Sequence, residues 1–456
     1  MRRLPGSFRD PLGSIHVSGN RIFRSISRSA APQYLASREV LRSLVAERRL
    51  VDFVEVPPPD GLDCAYLLEH PSIAPWTMPY EWSFSLLQAA ALFHLDLQLD
   101  LIERGFNLSD ASAYNVQFIG PQPIFIDHLS IRPYVEGEFW AGHRQFCEQF
   151  LNPLLLRAYC DVAPNSWYRG ELEGIPSTEL AKLLPLRSRL KWSVLANVFL
   201  PAQFQAKATS DREASSFLKN RKLPKQGLKG MLLQLRRLVS GLRPANMSAT
   251  TWANYATTTT YDNSEAIRKK DLVSEFVRRS NSKTVIDLGC NTGEFSAICL
   301  KSGASSVTGF DFDQQALDKA FHRAKAENLN FLPLYLDARN PSPSQGWMQT
   351  ERPGFSERFV ADAVLALAFE HHLAIAHNVP LEQVVRWITN IAQVGLIEFV
   401  PKTDPTIRKM LALREDIFTH YDEKSFQEAL DRCARIVAKE QITSTGRTVF
   451  EYARRS

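Results

Sequence analysis

Six cysteines are spread over 456 residues, at positions 64, 147, 160, 290, 299 and 433, and none forms a C-x-x-C pair. That spacing suggests neither a zinc site nor a disulfide framework; reduced thiols in a cytoplasmic protein are the simplest account. Long uncharged apolar runs are also missing. The longest apolar stretch, Phe84 to Ile102, is broken by His94, Asp96 and Asp100, so no membrane span is expected. Arg2 and Arg3 have no apolar core behind them, and a secretory signal is not expected. The charge imbalance is small, +5 overall, too mild to argue by itself for nucleic acid. No lysine precedes Lys182, which limits what the front of the chain can do. The apolar fraction of 45% and charged fraction of 23% are those of a soluble globular protein, and the length implies two or three domains.

What is present is concentrated in Val285-Ile-Asp-Leu-Gly-Cys-Asn-Thr-Gly293. An apolar run from Thr284 to Ile286 fits a buried parallel strand. Asp287 and a turn with two glycines follow, and from Glu294 to Leu300 apolar residues return at helical spacing. Gly289 and Gly293 let the backbone approach a ligand, and Asn291 is the side chain that best tolerates positive φ. A second strand from Ser306 to Phe310 ends in Asp311, about twenty residues after the turn, where an acid can accept hydrogen bonds from both hydroxyls of a ribose. Asp313 reads as the cap of a helix from Gln314 to Ala326.

Further strands are expected at Asn330 to Leu336, ending in Asp337-Ala338, at Ala361 to Leu367, and at Gly395 to Val400. Pro341 to Ser356 reads as a loop, and Pro380 to Gln393 has helical periodicity. Arg435 to Ile442 and Arg447 to Ala453 form a final hairpin. Strands alternating with helices and closing on a hairpin predict an α/β, doubly wound sheet.

The wording Asp-Leu-Gly-Cys-Asn-Thr-Gly resembles the first motif of class I S-adenosylmethionine-dependent methyltransferases, and the resemblance runs from about Ser248 to Ser456. It implies a seven-stranded Rossmann-like sheet with S-adenosyl-L-methionine as cofactor. The implied cofactor set is Asp287, Gly289, Cys290, Asn291, Gly293, Asp311, Phe312, Asp337 and Ala338, with the acid at 337 facing the adenine amino group. Backbone amides near Asn291 to Gly293 are expected to meet the methionine carboxylate. A helix or loop before the glycine turn folds over the cofactor in that family, which makes Tyr261 and Lys269 candidates for its methionyl end. His371 and His372 follow the fourth strand, where acceptors sit, and an imidazole can take a proton from a hydroxyl at neutral pH. The Asn/Asp-Pro-Pro-Tyr motif of base and glutamine methylation is missing. No metal is expected, because His377 adds a third histidine without a carboxylate at ligand spacing.

At the front, Ser14 to Ser27 reads as a hairpin turning at Gly19-Asn20, Ser37 to Arg49 as a helix, Asp63 to Glu69 as a strand, and Ser83 to Arg104 as a long helix. Then come Asp110, Asn115, a short hairpin and Asp127, followed by helices from about Gly137 to Tyr159. These are similar to the catalytic segment of protein-kinase-like and aminoglycoside-phosphotransferase-like folds, where an acid, an asparagine and a metal-binding acid recur in this order. Leu108 and Ser109 replace the usual His-Arg or His-Gly, Leu129 replaces a glycine, and the phosphate-pairing lysine is missing, with Arg24 as a substitute. An α+β kinase-like scaffold without efficient phosphoryl transfer follows, able to bind a nucleotide or to present a surface to a substrate or protein partner.

The expected organisation is thus a kinase-like domain over 1–205, a basic helical linker over 206–247, and a methyltransferase domain over 248–456. The linker carries Lys207, Arg212, Lys219, Arg221, Lys222, Lys225, Lys229, Arg236 and Arg237 against Asp211 and Glu213, a solvated face or a dock for an acidic partner. Ile397-Glu-Phe-Val-Pro401 and Arg414-Glu-Asp-Ile-Phe418 make the whole most similar to NoeA-type nodulation methyltransferases. That resemblance implies a small-molecule or glycan-like acceptor. The alternatives are an RNA methyltransferase, a kinase-like phosphotransferase or regulator whose rear domain senses cofactor, and a binding protein that retains cofactor without catalysis.

Overall fold

The computed structural model describes residues 1–19, 21–202, 223–245, 263–412 and 415–455. The chain divides into two compact units, Met1–Met247 with Ser344–Pro353, and Ser248–Pro343 with Gly354–Ser456.

The first unit opens with an antiparallel sheet in the order β1-β2-β3-β5-β4. Its strands are β1 (Arg2–Arg3), β2 (Gly13–Ser18), β3 (Arg21–Ile26), β4 (Val54–Val56) and β5 (Tyr66–His70). A Cβ on Gly13 would lie 2.2 Å from the Ser25 carbonyl oxygen, so this hairpin needs its glycine where the strands pair. Helix α1 (Ala31–Ala46) starts well before Ser37 because a proline stands in its first turn. Strand β5 starts at Tyr66 rather than Asp63; Asp63 is exposed and pairs with Arg28 at 3.0 Å.

Helix α2 (Phe84–Glu103) is capped by Ser83, whose hydroxyl accepts the Leu86 N–H at 3.4 Å. It is packed on most of its circumference, from Phe84 to Ile102, which explains an apolar run without one clean face. Beyond it, β6 (Phe106–Leu108) pairs with β9 (Ile131–Pro133), and β7 (Val116–Ile119) with β8 (Gln122–Phe125). A small sheet with one helix after its third strand, followed by a mainly helical part that carries short hairpins, is a kinase-like layout. The helix Lys225–Gly241 packs on α2, with Gln88 Nε2 donating to the Val239 carbonyl at 2.7 Å.

The second unit is a seven-stranded sheet in the order β12-β11-β10-β13-β14-β16-β15. The strands are β10 (Thr284–Leu288), β11 (Ser306–Asp311), β12 (Phe331–Tyr335), β13 (Ala361–Ala366), β14 (Ala392–Phe399), β15 (Ala434–Gln441) and β16 (Thr448–Arg454). Pairing is parallel through β14 and antiparallel at β16 and β15. From β10 the chain winds to β11 and β12 on one side, then to β13 and β14 on the other, so the sheet's reversal lies beside β10. Ligands of such sheets bind at the carboxyl ends of the strands at that place.

The helix read over Pro380 to Gln393 stops at Thr389, and β14 takes over at Ala392. Val384, Val385 and Ile388 bury one helix face, while the apolar run after Asn390 is long enough to cross the sheet as a strand. A helix that the sequence reading did not anticipate, Glu423–Cys433, buries Phe426, Ala429 and Leu430 at helical spacing.

Candidate functional site

The glycine turn sits between β10 and the helix Glu294–Lys301. Gly289 and Gly293 have φ of 75° and 79°, and Asn291 takes 48°, the left-handed region that the sequence pattern requires. A Cβ on Gly293 would meet Phe331 Cε1 at 2.3 Å, and one on Gly309 would meet Phe331 and Cys290 within 2.7 Å. Cys290 is therefore a packing residue, buried between turn and sheet.

The turn uses its own amides. Asn291 N–H donates to Asp311 Oδ2 at 2.9 Å, Thr292 N–H to the Asn291 side-chain oxygen at 2.8 Å, and Gly293 N–H to the Cys290 carbonyl at 2.8 Å. These three amides thus have acceptors within the chain. The left-handed Asn291 folds its side chain back onto the next N–H.

Asp311 accepts the Asn291 N–H on Oδ2 and the Asp313 N–H on Oδ1, both at 2.9 Å, and the Phe312 N–H also stabilises its charge. The carboxylate can accept further hydrogen bonds beyond these, so it fits as an acceptor for ribose hydroxyls. Phe312 beside it is 52% exposed. Asp287 lies on the neighbouring strand opposite Gly309, buried, with the Ser296 hydroxyl donating to its Oδ2 at 2.6 Å. Burial raises both carboxyl groups to a pKa of about 6; in Asp287 the Ser296 hydrogen bond opposes that rise and the charge of Asp311 adds to it. The two acids therefore share one end of the sheet. Asp337 follows β12, but Arg339 grips its carboxylate through two contacts of 2.8 and 2.7 Å and holds its pKa down. Ala338 follows it in the same loop.

His371 and His372 lie in the short helix Glu370–Ala374 after β13, with ring centroids 4.2 Å apart. His371 is 1% exposed, its Nδ1 3.6 Å from Glu370 Oε2. The other Glu370 oxygen accepts the Val400 N–H at 3.0 Å and lies 2.8 Å from the Tyr421 hydroxyl. His372 is less enclosed; burial, then the charges of His371, His377 and Arg447, hold its pKa well below the ordinary value. The same surroundings disfavour the charged imidazolium, so the ring is held in its neutral form. Of the two, His372 is the less buried.

Lys269 does not lie free in a cleft. Its Nζ is 2.6 Å from Glu398 Oε2, and both side chains are almost fully enclosed. Burial lowers the ammonium pKa, with Glu398 opposing. Arg447 completes the group, forking onto Asp404 at 2.7 and 3.1 Å and lying 3.7 Å from Glu398. Sequence reasoning gave Glu398, Asp404, Arg447 and Glu370 no role. The available signal was acids inside apolar strand and helix patterns, which stay buried only when paired. Tyr261 lies outside the described residues.

In the first unit, Asn115 Nδ2 is 3.2 Å from Asp110 Oδ2 and 3.4 Å from Asp127 Oδ2, so the three spaced residues meet. Arg24 from β3 reaches them, 3.0 Å from Asp127 and 3.2 Å from Asp10. Burial raises the pKa of Asp110, and the charge of Asp127 adds to it.

Residues 285–349 match a family described as a methyltransferase domain. Over 99% of its length the chain is 52% identical to nodulation protein NoeA of Rhizobium meliloti strain 1021, of which it covers 96%. Among solved structures it is similar to N-methyltransferase NodS from Bradyrhizobium japonicum WM9, 12% identical, covering 43% of this chain and 99% of that one with a TM-score of 0.32. The bifunctional kinase-methyltransferase WbdD is 17% identical over 48% of this chain and 45% of its own, with a TM-score of 0.30. At these scores neither structure bears on substrate.

Proposed function

The chain belongs to the family of nodulation protein NoeA, its second unit is a methyltransferase domain that uses S-adenosylmethionine, and we propose that it methylates an oxygen or nitrogen of a small-molecule or glycan-like acceptor. The cofactor supplies a methyl group on a sulfonium, already a good leaving group. The work left to the chain is to bind, align and exclude water.

The observation that carries this reading is the paired environment of Asp311. Both of its oxygens are oriented by backbone N–H groups while retaining acceptor capacity, which suits the two ribose hydroxyls. Phe312 lies at the rim as an apolar surface for the base, and Asp337 can meet the adenine amino group on releasing part of the Arg339 fork. The first-turn amides of Glu294 and Phe295, ahead of the Ala297 N–H that closes the first turn onto Gly293, take the methionine carboxylate. Lys269 then acts at one remove, holding Glu398 and the end of β14. His372, neutral at pH 7, accepts the proton that a hydroxyl or ammonium acceptor must lose.

Calorimetry of the full chain with S-adenosylmethionine and its demethylated product tests the cofactor half. Binding of both, lost in Asp311→Ala, is expected. The acceptor half is tested by mass spectrometry of a metabolite extract incubated with the enzyme. A methylated product that still forms at the same rate in His372→Ala would remove the base role.

A phosphotransferase reading has one observation in its favour, the convergence of Asp110, Asn115 and Asp127. Arg24 opposes it, because its guanidinium already neutralises Asp127 where a cation is needed.

A further inference from the structure

The segment after the helix Ser177–Leu183 carries the largest concentration of exposed apolar side chains among the described residues. Leu183, Leu186, Leu190 and Trp192 are 54, 74, 88 and 65% exposed. Interleaved with them are Lys182, Arg187, Arg189 and Lys191, and no acid stands between Lys182 and Trp192. Local geometry puts these side chains outward. Leu186–Leu190 is a 3-10 helix, whose three-residue repeat turns one row inward and two rows out. Ser188 forms the inward row, buried, with its hydroxyl on the Pro185 carbonyl at 2.6 Å; Leu184 and Val194 pin the two ends into the core.

The basic groups are themselves held in place. Arg189 stacks on the Phe199 ring at 4.9 Å, and Lys191 Nζ lies 2.8 Å from the Tyr159 hydroxyl. Among the described residues, Lys182 is the one of these engaged by an acid, Glu179 at 2.8 Å.

We propose that this face of the first unit docks on an anionic membrane surface. Exposed leucine and tryptophan side chains enter the boundary between headgroups and acyl chains, and the flanking cations meet lipid phosphates. Among the described residues no helix is long and apolar enough to cross a bilayer, so the contact is peripheral. The complementarity favours lipid over nucleic acid: three protruding leucines give nothing to bases or phosphates, and a single aromatic is a poor stacking platform. This inference does not depend on the transfer reaction proposed above.

The test is flotation of the full chain with vesicles of phosphatidylcholine alone and of equal parts phosphatidylcholine and phosphatidylglycerol. Binding is expected to the mixed vesicles only, and to weaken as salt rises. The variant Leu186→Ser/Leu190→Ser/Trp192→Ser removes the apolar tips without touching a buried side chain, and should lose that binding by at least about tenfold. Neutralising Arg187, Arg189 and Lys191 to glutamine should weaken it by on the order of 100-fold. Unchanged affinity for S-adenosylmethionine in the variants confirms that the second unit stays folded, and an unchanged melting profile confirms the first. Three results overturn the proposal: no vesicle binding by the unaltered chain, binding that survives the apolar variant, or a self-association of the chain that the apolar variant abolishes.

Discussion

The pKa of Asp311 leads to a measurable pH dependence of cofactor binding. Its carboxyl titrates at about 6 in the free fold because burial outweighs the N–H groups of Asp313, Asn291 and Phe312 that stabilise the charge. Both ribose hydroxyls need acceptors, and the ionised carboxylate supplies charge-assisted ones. If the complex holds the ionised form, apparent affinity falls by a factor of 1 + 10^(pKa − pH). That is close to unity at pH 7.5 and about elevenfold at pH 5, on the order of 1.4 kcal/mol. Calorimetry across that range reads it directly. The ligand titrates too, so the control is Asp311→Asn, which lacks the ionisation; it should bind about 10- to 100-fold more weakly at pH 7.5, the loss of a charge-assisted pair, with only the ligand's own pH profile remaining. A wild-type profile that parallels the asparagine variant's between pH 7.5 and 5 would refute the assignment of Asp311 to the ribose.

Stability should move the opposite way with pH. Asp287 and Asp311 titrate above the ordinary 3.8 in the fold, so their contribution is complete below that value and lost as pH rises through about 6. Denaturant unfolding of the free protein at pH 5 and 8 should show these two groups favouring the lower pH, and Asp287→Asn should shrink the difference. Ser296→Ala, which strips the 2.6 Å hydrogen bond from a buried carboxylate, should lower unfolding free energy by about 1.5–3 kcal/mol in the same assay. Arg447→Met strips the guanidinium fork from buried Asp404, while Glu398 keeps Lys269, and should lose about 3–5 kcal/mol, read as a drop in the midpoint of the second unit. Gly293→Ala combines a positive φ with a Cβ 2.3 Å from Phe331; a loss of about 3 kcal/mol is expected from strain and overpacking together, with cofactor affinity falling alongside it.

The second unit was more legible than the site it carries. Strand-length apolar runs, two glycines and an asparagine at the places that need positive φ, and an acid at the end of β11 are local signals, and each appears in the fold at or near its expected residue. Local signals were less informative where two elements compete for one apolar stretch. The boundary at Asn390 moved because burial of Val384, Val385 and Ile388 satisfies a helix only as far as Thr389, after which pairing with β13 and β16 decides. The partner of Lys269 could not be read at all. Glu398 lies on β14 and Arg447 just before β16, far away in sequence, and only the sheet order brings them together.

The first unit shows the converse case, where spacing was informative and identity decided the chemistry. Asp110, Asn115 and Asp127 converge as their order along the chain predicts. Convergence of acids, however, requires a counter-charge whenever the cluster is enclosed. A phosphotransferase supplies that charge with metal ions that leave with product. Here a side chain supplies it: Arg24 is covalently part of β3, spans Asp10 and Asp127, and is itself largely enclosed. A guanidinium tethered in this way stabilises the two parts of the unit against each other whether or not a nucleotide is bound. No lysine precedes residue 182, and Arg24, 3.0 Å from Asp127 and 3.2 Å from Asp10, ties β3 to the loop that carries Asp127.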